Sequence, residues 1–391
     1  MGWVMVYANR SLLPPLLPVI GVEFDLSGTQ RGAIASTYFA LYVAMQVPAG
    51  VLGDWLGLKR VLVAMYLVAG VGMLAVGLLA WNYTLLLAFI GLHGLGAGAF
   101  YSGAYGLTVT SVPAERRGAS ASMVSGGMAL GLALGLVLSP FLYELLNSWR
   151  LPYAVMTVPT VLLALLFIRA VRQPPSLPRD GRGYGIGFFL RNRDLVPLCL
   201  AAFCLFYAHW VLLTWSPSFL FEERGVSLKQ AGPFTAVVSL PTLVGTVLWA
   251  RLSDRLGRKR VLVTVMPVAT LAVLGLAFFT STAMALACLA LYGLCGALAL
   301  NPLAVSWAGD HILASRRVGI GTGIAIFNTF AVASSIVGPL LTGWVRDATG
   351  SLEGAFYVAA GVIALGVLLA LLPREAVRGE VVGRRGESRR P

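Results

Sequence analysis

Long uncharged stretches separated by short charged ones dominate the chain. No Asp, Glu, Lys or Arg occurs in 61–114, 118–143, 195–221, 261–309 or 318–345. A helix that crosses a bilayer needs about 20 mostly apolar residues. The runs 61–114 and 261–309 are therefore each two helices, folded back at Trp81-Asn82-Tyr83-Thr84 and at Thr280-Ser281-Thr282. Twelve spans are predicted: about 3–22, 32–53, two within 61–114, 118–142, 151–171, then 195–220, 230–252, 261–280, 284–307, 318–341 and 354–372. A Pro/Gly-rich linker beginning at Gln173 divides them. The expected organisation is a six-helix unit over 1–172, a linker over 173–194, a second six-helix unit over 195–372, and a basic, disordered tail over 373–391.

One short stretch occurs twice. Gly50-Val-Leu-Gly-Asp54-Trp-Leu-Gly57-Leu-Lys59-Arg60 precedes Val61-Leu62-Val63. Ala250-Arg-Leu-Ser-Asp254-Arg-Leu-Gly257-Arg258-Lys259-Arg260 precedes Val261-Leu262-Val263. Asp54, Gly57, Lys59 and Arg60 thus recur 200 residues later, and Arg116-Arg117 recurs as Arg316-Arg317. Such long-period self-similarity implies two homologous halves. The doubled Gly-x-x-x-Asp-x-x-Gly-x-Lys/Arg-Lys/Arg pattern resembles the loops after the second and eighth helices of the major facilitator superfamily. That resemblance covers nearly the whole chain. It implies an all-α integral membrane fold of twelve helices in two pseudo-symmetric six-helix bundles, and a secondary transporter working by alternating access.

Composition agrees independently. The chain is 58% hydrophobic and 12% charged, with 45 Gly among 391 residues, whereas soluble domains carry about 25% charged residues. Cys199, Cys204, Cys288 and Cys295 fall inside apolar runs and read as small core residues. The first span begins almost at Met1 without a basic n-region or a cleavage site, so it does not read as a signal peptide. The resemblance implies a cytoplasmic lead-in before it.

Charge sets the orientation. An even number of spans puts both termini on one side, with the duplicated motif and most of the 29 Lys and Arg. The other side holds only Arg31, Arg150, Arg224, Lys229 and Arg346. By the positive-inside rule the termini are cytoplasmic, as expected in a prokaryotic inner membrane. The net +13 then reflects topology and attraction to anionic lipid, and needs no nucleic-acid partner.

Asp54 and Asp254 stand at cytoplasmic helix ends, where each carboxylate can meet a helix N-terminus of the other half, near Gly118 or Val318. With Gly50, Gly57, Lys59, Arg60, Gly257, Arg258, Lys259 and Arg260 they form the candidate gating motif. For the basic members topology alone is a sufficient explanation.

Within the spans only one charged residue lies deep: Arg10, in Tyr7-Ala-Asn9-Arg10. Intramembrane charges are costly and usually functional. The Tyr-x-x-Arg placement resembles the first helix of family members that carry organic anions, in which an acid usually precedes the arginine; here Asn9 stands there. An arginine facing a cavity can hold a carboxylate or phosphate with a bidentate fork. The competing reading is a structural arginine bonded to carbonyls. The resemblance implies a central cavity, with Tyr7, Tyr38, Tyr42, Gln46, His93, Tyr101, Tyr105, His209, Trp210, Asn301 and Asn328 as further candidates. Tyr207 and Trp215 on the seventh span are further candidates, and the Trp215-Ser-Pro217 end of that span also resembles family members that handle small organic anions. For each of these, helix packing is an equal alternative.

All sixteen acids map to loops or helix ends, so none stands at mid-membrane to carry a proton. Ile90 occupies a position where many antiporters carry arginine, and Gly127, Gly131 and Gly135 match the glycine-rich antiporter motif only in part. Facilitated movement, exchange and His-mediated proton coupling stay open. There is no P-loop and no catalytic constellation beyond the isolated Asp310-His311 pair, which argues against a pump or an enzyme. The expectation is a monomeric, cofactor-free and metal-free transporter of a small organic anion, with a proton or counter-anion as coupling partner. Proton-coupled efflux of drug-like, amphipathic or lipid-like compounds is the alternative.

Overall fold

The computed structural model describes residues 1–111, 117–171, 191–315 and 320–375; the side chains of Asp54, of 101–125 and of 314–322 are outside the described set. Among the described residues all regular structure is helical: α1 (Gly2–Arg10), α2 (Leu13–Glu23), α3 (Gly28–Leu56), α4 (Leu58–Leu79), α5 (Tyr83–Ser111), α6 (Arg117–Leu146), α7 (Leu151–Ala170), α8 (Leu195–Glu222), α9 (Leu228–Ala236), α10 (Ser239–Leu256), α11 (Arg258–Phe278), α12 (Thr282–Cys295), α13 (Ala297–Ser315), α14 (Ile320–Thr349) and α15 (Glu353–Leu371). By length and composition, 11 candidate spans emerge. The twelfth is the first in the chain, which is split into α1 and α2. The eighth predicted span is likewise α9 and α10, and the tenth is α12 and α13. Many of the exposed large side chains are apolar, among them Val71, Leu162, Leu240 and Leu368. That is the surface a bilayer would solvate.

The breaks have local causes. Pro14 and Pro15 cannot donate an N–H to the carbonyls of Arg10 and Ser11, so α1 ends there. The affected turn is held by hydroxyls: Ser11 Oγ donates to the Tyr7 carbonyl at 2.6 Å, and Ser139 Oγ donates to the Leu12 carbonyl at 2.6 Å. The α6 glycines Gly131 and Gly135 let α1 lie directly on that helix, since a Cβ on either would stand 2.2 Å from the Val4 or Ala8 carbonyl. The glycine stripe is thus a packing face for the helix that carries Arg10.

At the end of the molecule away from the termini, α3 and α14 are in close contact across the two halves. Asp347 of α14 accepts the backbone N–H groups of Gly28 (2.5 Å) and Thr29 (2.7 Å) and the Thr29 hydroxyl (2.6 Å). Its carboxylate caps the N-terminus of α3, the favourable place for an anion. Beside it Glu222 bridges Arg31 of α3 at 2.7 Å and Arg346 of α14 at 2.5 Å. Glu144 of α6 and Lys229 of α9 pair at 2.7 Å across the halves nearby. Deeper in, Ser36 Oγ donates to the Ile336 carbonyl at 2.6 Å.

Candidate functional site

Between the two sets of helices lies a cavity. Asn9, Arg10, Leu13, Pro14, Ala35, Tyr38, Phe39, Ile90, His93 and Tyr153 line it from the first half, and Trp210, Leu213 and Thr214 from the second. Arg10 reaches it because α1 stops at that residue, midway along the first span. Its guanidinium carbon lies 3.7 Å from the ring centre of Tyr7, 4.8 Å from that of Trp210 and 5.6 Å from that of Phe39. These ring faces attract a cation and partly replace the lost hydration. They do not use its N–H groups. Arg10 is 8% exposed, yet Nε and Nη2 have no hydrogen-bond partner among the described residues.

The neighbours are also donors without partners. The Tyr38 and Tyr153 hydroxyls and Trp210 Nε1 are buried and unbonded among the described residues. Asn9 donates from Nδ2 to Thr160 Oγ1 at 2.8 Å, which fixes its rotamer, and its Oδ1 is left unbonded. Thr160 in turn donates to the Met156 carbonyl at 2.8 Å. Tyr38 stands edge-on to His93, with ring centres 5.0 Å apart, and stacks on Tyr42 at 6.0 Å. Buried polar groups in native proteins almost always have partners, so four residues leaving donors open toward one cavity is a pattern suited to an acceptor-rich guest. Arginine cannot shed its proton; the site carries a fixed positive charge.

The structure divides the sequence candidates. Asn9, Arg10, Tyr38, His93 and Trp210 line the cavity, with Tyr7 and Tyr42 directly behind them. Gln46, His209, Asn301 and Asn328 do not line it. His209 packs against Trp210 (5.1 Å) and stacks on Tyr292 (6.4 Å). Tyr207 is buried outside the lining, and Trp215 is structural, its indole N–H donating to the Pro339 carbonyl at 3.1 Å. The Tyr101 and Tyr105 side chains lie outside the described residues. Phe39, Tyr153 and Thr214 escaped the sequence reading. Phe39 and Tyr153 sit in apolar runs that offer no polar signal. Thr214, one turn beyond Trp210, could have been found by helical spacing.

In the duplicated motif Gly57 and Gly257 adopt φ 94° and 98°, a conformation L side chains rarely take, and end α3 and α10 with the same turn. Each replacement by alanine is expected to lose about 1–3 kcal/mol. This would be read as a lower thermal-unfolding midpoint in detergent. The effect should be larger at Gly257, where the new Cβ would meet Glu375 Oε1 at 3.1 Å.

The basic residues have matching jobs. Lys59 Nζ donates to the Ile168 carbonyl at 2.7 Å, near the end of α7, and Lys259 Nζ donates to Leu371 at 2.6 Å and Pro373 at 2.8 Å, at the end of α15. A cation there complements the negative helix terminus. Arg258 pairs with Asp310, and the Arg258 and Lys259 N–H groups donate to Glu375 at 2.6 and 3.0 Å. Lys59, Lys259 and the Glu375 contacts therefore fasten the last helix of each half to its own motif, while the Arg258–Asp310 pair ties the second motif to α13. Gly50 is half-buried, Arg60 and Arg260 are exposed, and the side chain of Asp54 lies outside the described residues.

A family model described as Major Facilitator Superfamily matches residues 1–324. Among curated proteins, the hexuronate transporter of Bacillus subtilis (strain 168) is 25% identical over 98% of this chain and 95% of its own length. The D-galactonate transporter of Escherichia coli O6:H1 is 26% identical over 94% and 92%. The probable sulfoacetate transporter of Cupriavidus necator is 25% identical over 94% and 90%. Among solved structures, a bacterial homologue of the human lysosomal transporter Spinster, inward-facing and occupied, superposes with a TM-score of 0.80 at 17% identity, over 95% of this chain and 94% of that one. The D-xylose–proton symporter gives 0.78 at 19% identity, over 96% of each chain.

Proposed function

The chain belongs to the major facilitator superfamily, and from that premise we propose that it carries a small organic anion across a bacterial inner membrane with Arg10 as the anchor for the anionic group. It is a secondary transporter and not an enzyme. The observation that carries the anion reading is the buried guanidinium of Arg10, which sits among the Tyr7, Trp210 and Phe39 rings with Tyr7 as a side-chain hydrogen-bond partner and with Nε and Nη2 unbonded among the described residues. A carboxylate would take those sites in a charge-assisted fork, and the Tyr38, Tyr153 and Trp210 donors would serve its other oxygens. Relatives named for hexuronate, galactonate and sulfoacetate support the organic-anion class, though not one charge state, since sulfoacetate carries two anionic groups.

Alternating access needs two gates. At the far end, taken as the periplasmic one because it is poor in Lys and Arg, Asp347 and Glu222 hold the halves together. At the end with the termini, we assign the reciprocal role to Asp54 and Asp254, each against a helix N-terminus of the other half when that end closes. The rocking bodies are 1–172 and 195–372, in one monomer. With no Asp or Glu at mid-span, the cycle runs on the substrate gradient, on exchange with a counter-anion, or on a proton carried by the cavity-lining His93.

Uptake into proteoliposomes tests the proposal. Labelled hexuronate or aldonate should accumulate, and hydrophobic cationic dyes should not move. Dye movement without acid uptake would instead mark the protein as an efflux antiporter.

A further inference from the structure

The charge inventory of the cavity narrows the substrate class, given the anion reading above. We propose that the site selects monoanions and rejects dianions of the same size and shape. Among the described residues Arg10 is the single Lys or Arg in the lining, and by sequence no other lies deep in a span. Arg31, the other buried arginine among the described residues, is committed to Glu222 at the far end. One bidentate fork satisfies one carboxylate.

A second carboxylate on the same guest would be pressed against Leu13, Ala35, Ile90 and Leu213, or against neutral donors. The Tyr38 and Tyr153 hydroxyls and Trp210 Nε1 can bond a substrate hydroxyl or share a carboxylate oxygen, but they bring no compensating charge. His93 is the one lining imidazole. It could serve a second carboxylate only by taking a proton close to Arg10, with no acid in the lining to balance two cations. An ion buried without a counter-charge is strongly disfavoured, so discrimination arises from the missing partner rather than from shape.

Matched pairs differing by one carboxylate read this directly: gluconate against glucarate, and benzoate against terephthalate, with dissociation constants measured by calorimetry on the purified full chain at pH 7.5. The expected result is at least ten-fold tighter binding of the monoanion in whichever pair fits. In Ile90→Arg, which adds a second cation to the lining, that preference should narrow or reverse; the wild-type comparison decides should this variant fail to fold. Equal or tighter binding of the dianion to wild type overturns the monoanion rule and leaves the anion reading intact. Failure of all four acids to bind overturns the anion reading and this rule with it.

Discussion

Replacing Arg10 with alanine is expected to cut anion uptake at least 100-fold without weakening the fold. The loss follows from removing a charge-assisted bidentate contact in a low-dielectric site, which is worth about 3–5 kcal/mol when one partner is deleted. Arg10→Lys keeps the charge but not the planar fork, so a loss of about ten-fold is expected. Stability moves the other way. In the unloaded protein Arg10 is buried with unsatisfied N–H groups, so deleting it removes a desolvation penalty. The unliganded unfolding midpoint of Arg10→Ala should equal or exceed that of wild type. Initial uptake rates and melting curves, taken together, check both halves of the claim. A structural arginine would show the opposite pair: a lower midpoint, and uptake that falls only with the amount of folded protein.

Glu222→Gln is expected to open the far end. Glu222 holds two guanidiniums, Arg31 and Arg346, whose side chains are 11% and 22% exposed. Removing its charge leaves both without their shared carboxylate, beside the Asp347 cap on α3. For partly screened pairs the loss is about 2 kcal/mol in total, or about a 30-fold shift between closed and open forms. Ser36 lies buried behind this latch, bonded to Ile336. In a Ser36→Cys background, a membrane-impermeant maleimide applied from outside should label Glu222→Gln vesicles at least ten-fold faster than the parent. Unchanged labelling would show that the close packing of α3 on α14, where a Cβ on Gly32 would stand 2.2 Å from the Pro339 carbonyl, and not the ion network, keeps this end shut.

The parts of this architecture that were legible in the sequence are those carried by composition and repetition. Uncharged runs bounded by basic turns gave the spans, and the 200-residue offset between Asp54 and Asp254 gave the two halves. Arg10 stood out because a lone charge in an apolar helix is rare. Its surroundings were only partly legible. Tyr38 and Tyr42 were found by four-residue spacing, but Phe39 and Tyr153 meet Arg10 or its cavity only through tertiary packing. The far-end latch was hidden for a different reason. Arg31, Glu222, Arg346 and Asp347 look like ordinary loop charges, and nothing local says that residues some 320 positions apart will meet. The physics expected of Asp54 and Asp254, a carboxylate of one half on a helix N-terminus of the other, is what Asp347 does at the opposite end. Lys59 and Lys259, which charge topology alone would explain, also cap the closing helices of their own halves.

The most direct test of the central claim is ligand-induced thermal stabilisation of the purified protein, wild type beside Arg10→Ala, across organic acids and hydrophobic cations. The prediction is that at least one organic monoanion raises the wild-type midpoint and leaves that of Arg10→Ala unmoved. Stabilisation by hydrophobic cations alone, equal in both proteins, would contradict the assignment of Arg10 as the anion anchor and return it to a purely structural role.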